Sequence, residues 1–337
     1  MSRIAAFVLL ILFIQKPGTF AQPFQLPTPN KNIFIDGKEA SYFTPTIGRT
    51  WESGTFGCVR SDGWQMHEGI DIKCIERDNK GEPIDPVSAA ADGTISYINA
   101  KPGLSNYGNY IVMQHKIDGM IIYTLYAHLR RIAEGLKVGQ FKKTGEIIAI
   151  MGRTANTRQG ISKERAHLHF EINLMANESF PDWYKKQFPG QKNDHGLWNG
   201  QNLIGLNPGE IFLLQQKAAA NRQQFSLLNY IQTQPIICRV KLIKSKALKL
   251  LKRFPKLVMP NNNGIEVAGY ELSLNPNGGP VRIVPLGKVQ LGGVKSDEVV
   301  VDPEVYKLAP CRKLVFKRGQ RWTLTSKGKT QIQLITK

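Results

Sequence analysis

Between residues 33 and 207 the chain is a succession of short apolar runs, rich in β-branched and aromatic residues and mostly bounded by glycine. They occupy 93–98 (GTISYI), 110–115 (YIVMQH), 120–126 (MIIYTLY), 146–151 (EIIAIM) and 167–173 (HLHFEIN). Runs set this close, with no helical pattern between them, predict antiparallel strands and exclude βαβ units. The 31 glycines and 19 prolines agree with many turns. After the stop signal Asn207-Pro208, residues 209–224 read as a connecting helix. Beyond 225 the composition turns basic, and 282–294, 313–317 and 322–335 alternate like strands. The expected fold is mainly β: an antiparallel β-sheet domain over 22–208, the short helix, and a second small β-rich C-terminal domain over 225–337. A length of 337 residues suits about two domains.

The first 21 residues predict an export signal. Arg3 precedes an apolar run over 4–14, and Thr19-Phe20-Ala21 places small residues at −3 and −1 of a cleavage site. The run is well short of the roughly 20 residues a spanning helix needs. The expected location is periplasmic or extracellular. Lysine and arginine total 45 against 26 acids, a net charge of +19. A surface so basic attracts polyanions. Export disfavours nucleic acid and leaves acidic envelope polymers or lipid headgroups. Residues 239–256, with eight basic side chains and no acid, are the candidate contact; a solvated helix or strand face is the plainer reading.

Export also permits disulfides. Four cysteines allow three pairings, and the sequence-local one, Cys58–Cys74 with Cys238–Cys311, is expected. No CxxC spacing supports a metal cluster.

Four of the six histidines occur in contexts that make chemical sense together. In His67-Glu68-Gly69-Ile70-Asp71 a glycine lets the backbone turn so that His67 and Asp71 converge. In His167-Leu168-His169 strand alternation puts both imidazoles on one face and Leu168 on the other. His128 follows the run ending at Tyr126 and projects from a strand end. Two imidazoles and a carboxylate suit zinc, and three protein ligands leave a fourth position for water, as in a catalytic site. Taken singly, an HxH pair is more often structural, and HxxxD is weaker still. A helical variant of HExxH with Glu68 as base fits poorly, because Gly69, Ile70 and Ile72 disfavour a helix and no histidine stands at i+4 of His67. His115 reads as structural, His195 as a solvent-facing loop residue, and Glu171 as either a partner orienting an imidazole or a packing residue.

Taken in order, HEGIDI at 67–72, PVSAAADGTISYI at 86–98, YGNYIVMQH at 107–115, YTLYAHL at 123–129, GLKVGQ at 135–140, GEIIAIMG at 145–152 and HLHFEI at 167–172 resemble the lysostaphin-type (LytM-type) zinc metallopeptidases, family 23 of the metallopeptidases. The likeness covers about 64–174, and Leu206-Asn207-Pro208 is similar to the family's closing turn. It implies one zinc ion held by His67, Asp71 and His169. It also implies His128 and His167 as the two catalytic histidines, one a general base and the other stabilising the tetrahedral intermediate. The implied substrates are peptide cross-bridges or stems of bacterial peptidoglycan, and the implied activity is that of an exported endopeptidase. Two departures bear on substrate choice: a charged loop with Arg153, Arg158, Lys163, Glu164 and Arg165, and an aromatic insertion over 178–200. A non-enzymatic relative that activates a wall hydrolase, and a secreted peptidase acting on proteins, are the competing readings. The first is countered by the presence of all three metal ligands.

Overall fold

The computed structural model describes residues 22–157, 160–262, 264–292 and 299–337; the export signal expected at 1–21, and Arg158, lie outside the described residues. The first strands are β1 (Gly57–Arg60), β2 (Gln65–His67), β3 (Ile70–Lys73), β4 (Pro86–Ser88), β5 (Gly93–Asn99) and β6 (Tyr110–Ile117). Next come β7 (Met120–Ala127), β8 (Arg131–Ile132), β9 (Phe141–Lys142), β10 (Ile147–Ile150), β11 (His167–Met175) and β12 (Leu203–Leu206). The central sheet runs β12-β11-β7-β6-β5-β9, antiparallel throughout. On one edge of β11, β3 pairs with residues 167–170 and β12 with residues 172–175.

The period-two pattern decides what each face of this sheet does. Leu168, Phe170 and Ile172 on β11 join Ile70, Ile72, Ile111, Met113 and Ile122 in the main apolar core. Phe170 is fully buried and stacks on Phe212 of the helix Pro208–Ala220 at 5.9 Å between ring centres; such burial stabilises by about 1.5–3 kcal/mol. A helix is expected there over 209–224; it is started by the Asn207 side chain, which accepts from the Glu210 amide, and ends at Ala220. The opposite face carries a smaller cluster of Tyr110, Val112, Tyr123, Leu125 and Leu203, flanked by Tyr97, Tyr107 and Trp198. His167 and His169 lie on this second face, as alternation requires.

The C-terminal strands are β13 (Cys238–Ile243), β14 (Gly269–Leu274), β15 (Pro280–Leu286), β16 (Val300–Val301), β17 (Val315–Arg318) and β18 (Arg321–Leu324). They form an antiparallel sheet ordered β15-β14-β13-β16 and a β17–β18 hairpin. Helices are more prominent here than the alternation suggested. The basic stretch folds as a helix over Lys244–Arg253 that buries Ala247 and Leu250. The run expected as a strand over 282–294 ends at Leu286, and Lys288–Leu291 is a helical turn. The run over 322–335 is divided too, with β18 ending at Leu324 and a helix over Ser326–Thr336. Thr325 caps that helix by accepting from the Gly328 amide, and Gln331, Leu334 and Ile335 form its buried stripe. Among the described residues no sheet crosses residue 225, yet one apolar cluster extends from Phe24 to Ile335.

The disulfide pairing differs from the expected one. Cys58 is bonded to Cys311, and Cys74 and Cys238 are buried thiols. Cys74 follows β3 and Cys238 lies in β13, and both side chains join the main core. Cys58 lies instead on the β1–β2 hairpin, which meets the loop before β17. Among the described residues no helix is long and apolar enough to cross a membrane.

Candidate metal centre

Three strands deliver three donor atoms to one point. The β2–β3 turn at Gly69 lies so close to β11 that a Cβ there would stand 2.3 Å from the Phe170 carbonyl oxygen, which is why only glycine fits. This close approach aligns Asp71 opposite His169 in the β3–β11 ladder. His67 Nε2 is 3.1 Å from His169 Nδ1 and 3.2 Å from Asp71 Oδ1, and His169 Nδ1 is 3.0 Å from the same oxygen. All three residues are buried.

The hydrogen bonds around this triangle fix the imidazole tautomers. His67 Nδ1 donates to the Thr55 carbonyl at 2.6 Å, leaving the Nε2 lone pair inward. His169 Nε2 donates to Glu171 Oε1 at 2.8 Å, leaving Nδ1 inward. Glu171 is itself held by the Tyr107 hydroxyl at 2.7 Å and by the Asn173 amide at 2.8 Å. Its carboxyl is fully buried, which alone would raise its pKa, but the bonds from His169, Tyr107 and Asn173 bring it below the ordinary range. Glu171 therefore orients His169, the first of its two expected roles.

Two further imidazoles border the triangle. His128 follows β7 with a left-handed φ of 61°, and its Nδ1 donates to the Thr154 carbonyl at 2.9 Å. The approach of 152 to 128 is again close: a Cβ on Gly152 would lie 2.6 Å from the His128 carbonyl oxygen. His167 Nδ1 donates to the Arg165 carbonyl at 2.6 Å, and its Nε2 stands 3.5 Å from Asp71 Oδ2. The His128 ring centre is 4.8 Å from that of His167 and 5.9 Å from that of His169. Both rings thus keep an unprotonated Nε2 available on the site side. Burial, reinforced by the neighbouring His167 and His169, holds His128 well below the ordinary histidine range. Burial lowers His167 as well.

The triangle calls for a cation. Burial disfavours a charged His169, yet its bonds to Asp71 and Glu171 prevail and push it up to about 9. Burial would raise Asp71, but the surrounding His167, His67 and Arg60 hold it well below the carboxylate range. The donor set and its edges fit zinc: bonds of about 2.0–2.1 Å in a tetrahedron give edges of roughly 3.3–3.4 Å. His67, Asp71 and His169 could therefore hold a metal ion.

The site opens on a cleft of about 1540 Å³ whose lining includes His67, His128 and His169 together with Arg312, Lys327 and Gln331. Residues 65–181 match the sequence model of Peptidase family M23. This segment resembles an M23 peptidase domain.

Among solved structures, the catalytic domain of lysostaphin from Staphylococcus simulans is 25% identical over 39% of this chain and 74% of its own, with a TM-score of 0.24. A putative glycyl-glycine endopeptidase lytM from Ruminococcus gnavus is 26% identical over 48% and 50%, with a TM-score of 0.29. A zinc-containing peptidase from Vibrio cholerae is 24% identical over 45% and 33%, with a TM-score of 0.24. No curated protein matches the chain.

Of the remaining histidines, His115 is structural as expected: its ring nitrogens are bonded to the Asp92 carbonyl at 2.9 Å and Thr124 Oγ1 at 2.7 Å. His195 corrects the expectation of a solvent-facing residue. It is buried, 2.9 Å from the Tyr97 hydroxyl and edge-on to Tyr110 at 5.1 Å, in the wall of the cleft. The aromatic insertion accounts for this, since it contains the helix Phe180–Gln187 and folds His195 and Trp198 back over the sheet. The sequence reading missed Arg60, whose guanidinium touches His67 and Asp71. It also missed Tyr107 beneath Glu171. Neither residue stands at a diagnostic spacing from the ligands.

Proposed function

We propose that the protein is an exported zinc endopeptidase that hydrolyses peptide bonds of bacterial peptidoglycan. The observation that carries this reading is the convergence of the His67, Asp71 and His169 donor atoms within 3.2 Å of one another beside His128 and His167. The M23 family match supports the peptidase class.

In this reading His67, Asp71 and His169 hold one zinc ion. A bound zinc supplies a Lewis acid and lowers the pKa of a water toward 7. His128 and His167, kept neutral by burial, divide the remaining work. One accepts the proton of the attacking water at Nε2 and passes it to the leaving amine; the other stabilises the tetrahedral intermediate, donating to the oxyanion only when its Nε2 carries a proton. Their Nδ1–H bonds to the Thr154 and Arg165 carbonyls leave Nε2 of both rings unprotonated, the tautomer a general base requires. Glu171 keeps Nδ1 of His169 free by engaging Nε2.

The basic helix Lys244–Arg253 extends the proposal to a partner. Lys244, Lys246, Lys249 and Lys252 are exposed, and a face of this charge suits anionic envelope polymers. Such binding weakens as salt is added.

Digestion of purified peptidoglycan of defined cross-link chemistry, with mass identification of the fragments, tests the function. The expected result is new amino termini at peptide bonds, abolished by chelation and by His169→Ala. Full release in either condition contradicts it, and cleavage of unrelated proteins alone would favour a general secreted peptidase.

A further inference from the structure

The proposed metal centre contains a cation from its own chain. Arg60, the last residue of β1, places Nη2 2.9 Å from His67 Nε2 and in contact with Asp71 Oδ2. Its Nε donates to the Ser53 carbonyl at 3.1 Å, which aims the guanidinium inward. A guanidinium only donates. Because His67 Nδ1–H is committed to Thr55, the lone pair that Arg60 engages is the inward one on Nε2. An imidazole nitrogen has one in-plane lone pair, so Nε2 serves Arg60 or a metal ion, not both.

The backbone is built to hold Arg60 there. The β1–β2 ladder skips a residue between Cys58 and Arg60, so that Cys58 faces Met66 and Arg60 faces Gln65. Such a bulge re-aims the side chain that follows it. Ser61, Asp62 and Gly63 then turn the hairpin through three successive left-handed conformations, with φ of 48°, 56° and 87°. Asp62 is paired with Arg49, Lys313 stands over the Trp64 ring, and Cys58 is bonded to Cys311. The hairpin is fastened on every side.

We infer that Arg60 is an internal plug of the metal centre, a resident cation that a divalent ion must displace from His67 Nε2; its contact with Asp71 is on Oδ2, outside the donor triangle, which uses Oδ1. The inference rests on the proposed metal site and adds an autoinhibitory contact to it. The apparent metal affinity is reduced by the fraction of molecules in which Arg60 has withdrawn. Removing the charge while keeping the side chain's bulk therefore tightens metal binding.

Zinc affinity, measured by competition with a chromophoric chelator on the full chain, tests this without recourse to activity. Arg60→Met is expected to bind zinc on the order of tenfold tighter than the wild type, as for a competent state populated about a tenth of the time. Arg60→Gln, a second uncharged variant, is expected to tighten in the same direction. Equal or weaker binding in both overturns the plug and makes Arg60 a support for Asp71, while the metal site itself stands. No zinc uptake by the wild type or either variant overturns the plug and the zinc reading together.

Discussion

At the scale of single residues, the centre depends on what lies behind each donor. His169 receives two carboxylates, Asp71 on Nδ1 and Glu171 on Nε2, and the second bond keeps the first nitrogen aimed at the triangle. Glu171→Gln retains the shape but halves the attraction for the imidazole N–H. It is expected to lower zinc affinity by about tenfold, as losses of such supporting bonds do. Calorimetric zinc titration checks this, and an unchanged affinity would show that packing alone orients His169. That His167 and His169 share one side of β11 was legible, because a period of two forces it. The histidines' hydrogen-bond acceptors were not: the Thr55, Thr154 and Arg165 carbonyls are backbone groups whose placement only the finished fold decides.

At the scale of elements, the β2–β3 turn sets the geometry because it brings His67 and Asp71 against β11. Gly69→Ala forces a Cβ against the Phe170 carbonyl, a backbone atom with little freedom to retreat. The expected cost is about 1–3 kcal/mol of stability, typical of overpacking, together with weaker zinc binding. Urea unfolding of the metal-free protein measures the first effect, and a midpoint equal to that of the wild type would contradict the close approach. The strands of the central sheet could be read from alternation bounded by glycine. The helix over Ser326–Thr336 could not, because short stretches such as Gln331–Ile335 satisfy either period and the deciding signal, the Thr325 cap, is a single residue.

At the scale of the whole molecule, the two halves meet across the cleft. Arg312 and Lys327 line it together with the histidines, and Cys58–Cys311 joins the halves covalently over 253 residues of sequence. Sequence proximity favoured Cys58–Cys74, but strand direction sends Cys74 into the core and leaves Cys58 on the exposed hairpin. The double variant Cys58→Ser/Cys311→Ser is expected to lose about 2–5 kcal/mol of stability, as native disulfides do when removed. Thermal unfolding under non-reducing conditions checks this, and an unchanged midpoint would mean that the two sides remain together without the bond.

The central claim is that His67, Asp71 and His169 form one metal site on three strands. Its most direct test is the zinc content of the purified full chain after equilibration with zinc and removal of the excess. One equivalent in the wild type and none in His169→Ala is the predicted result. No bound zinc in the wild type, or a full equivalent retained by His169→Ala, would contradict it.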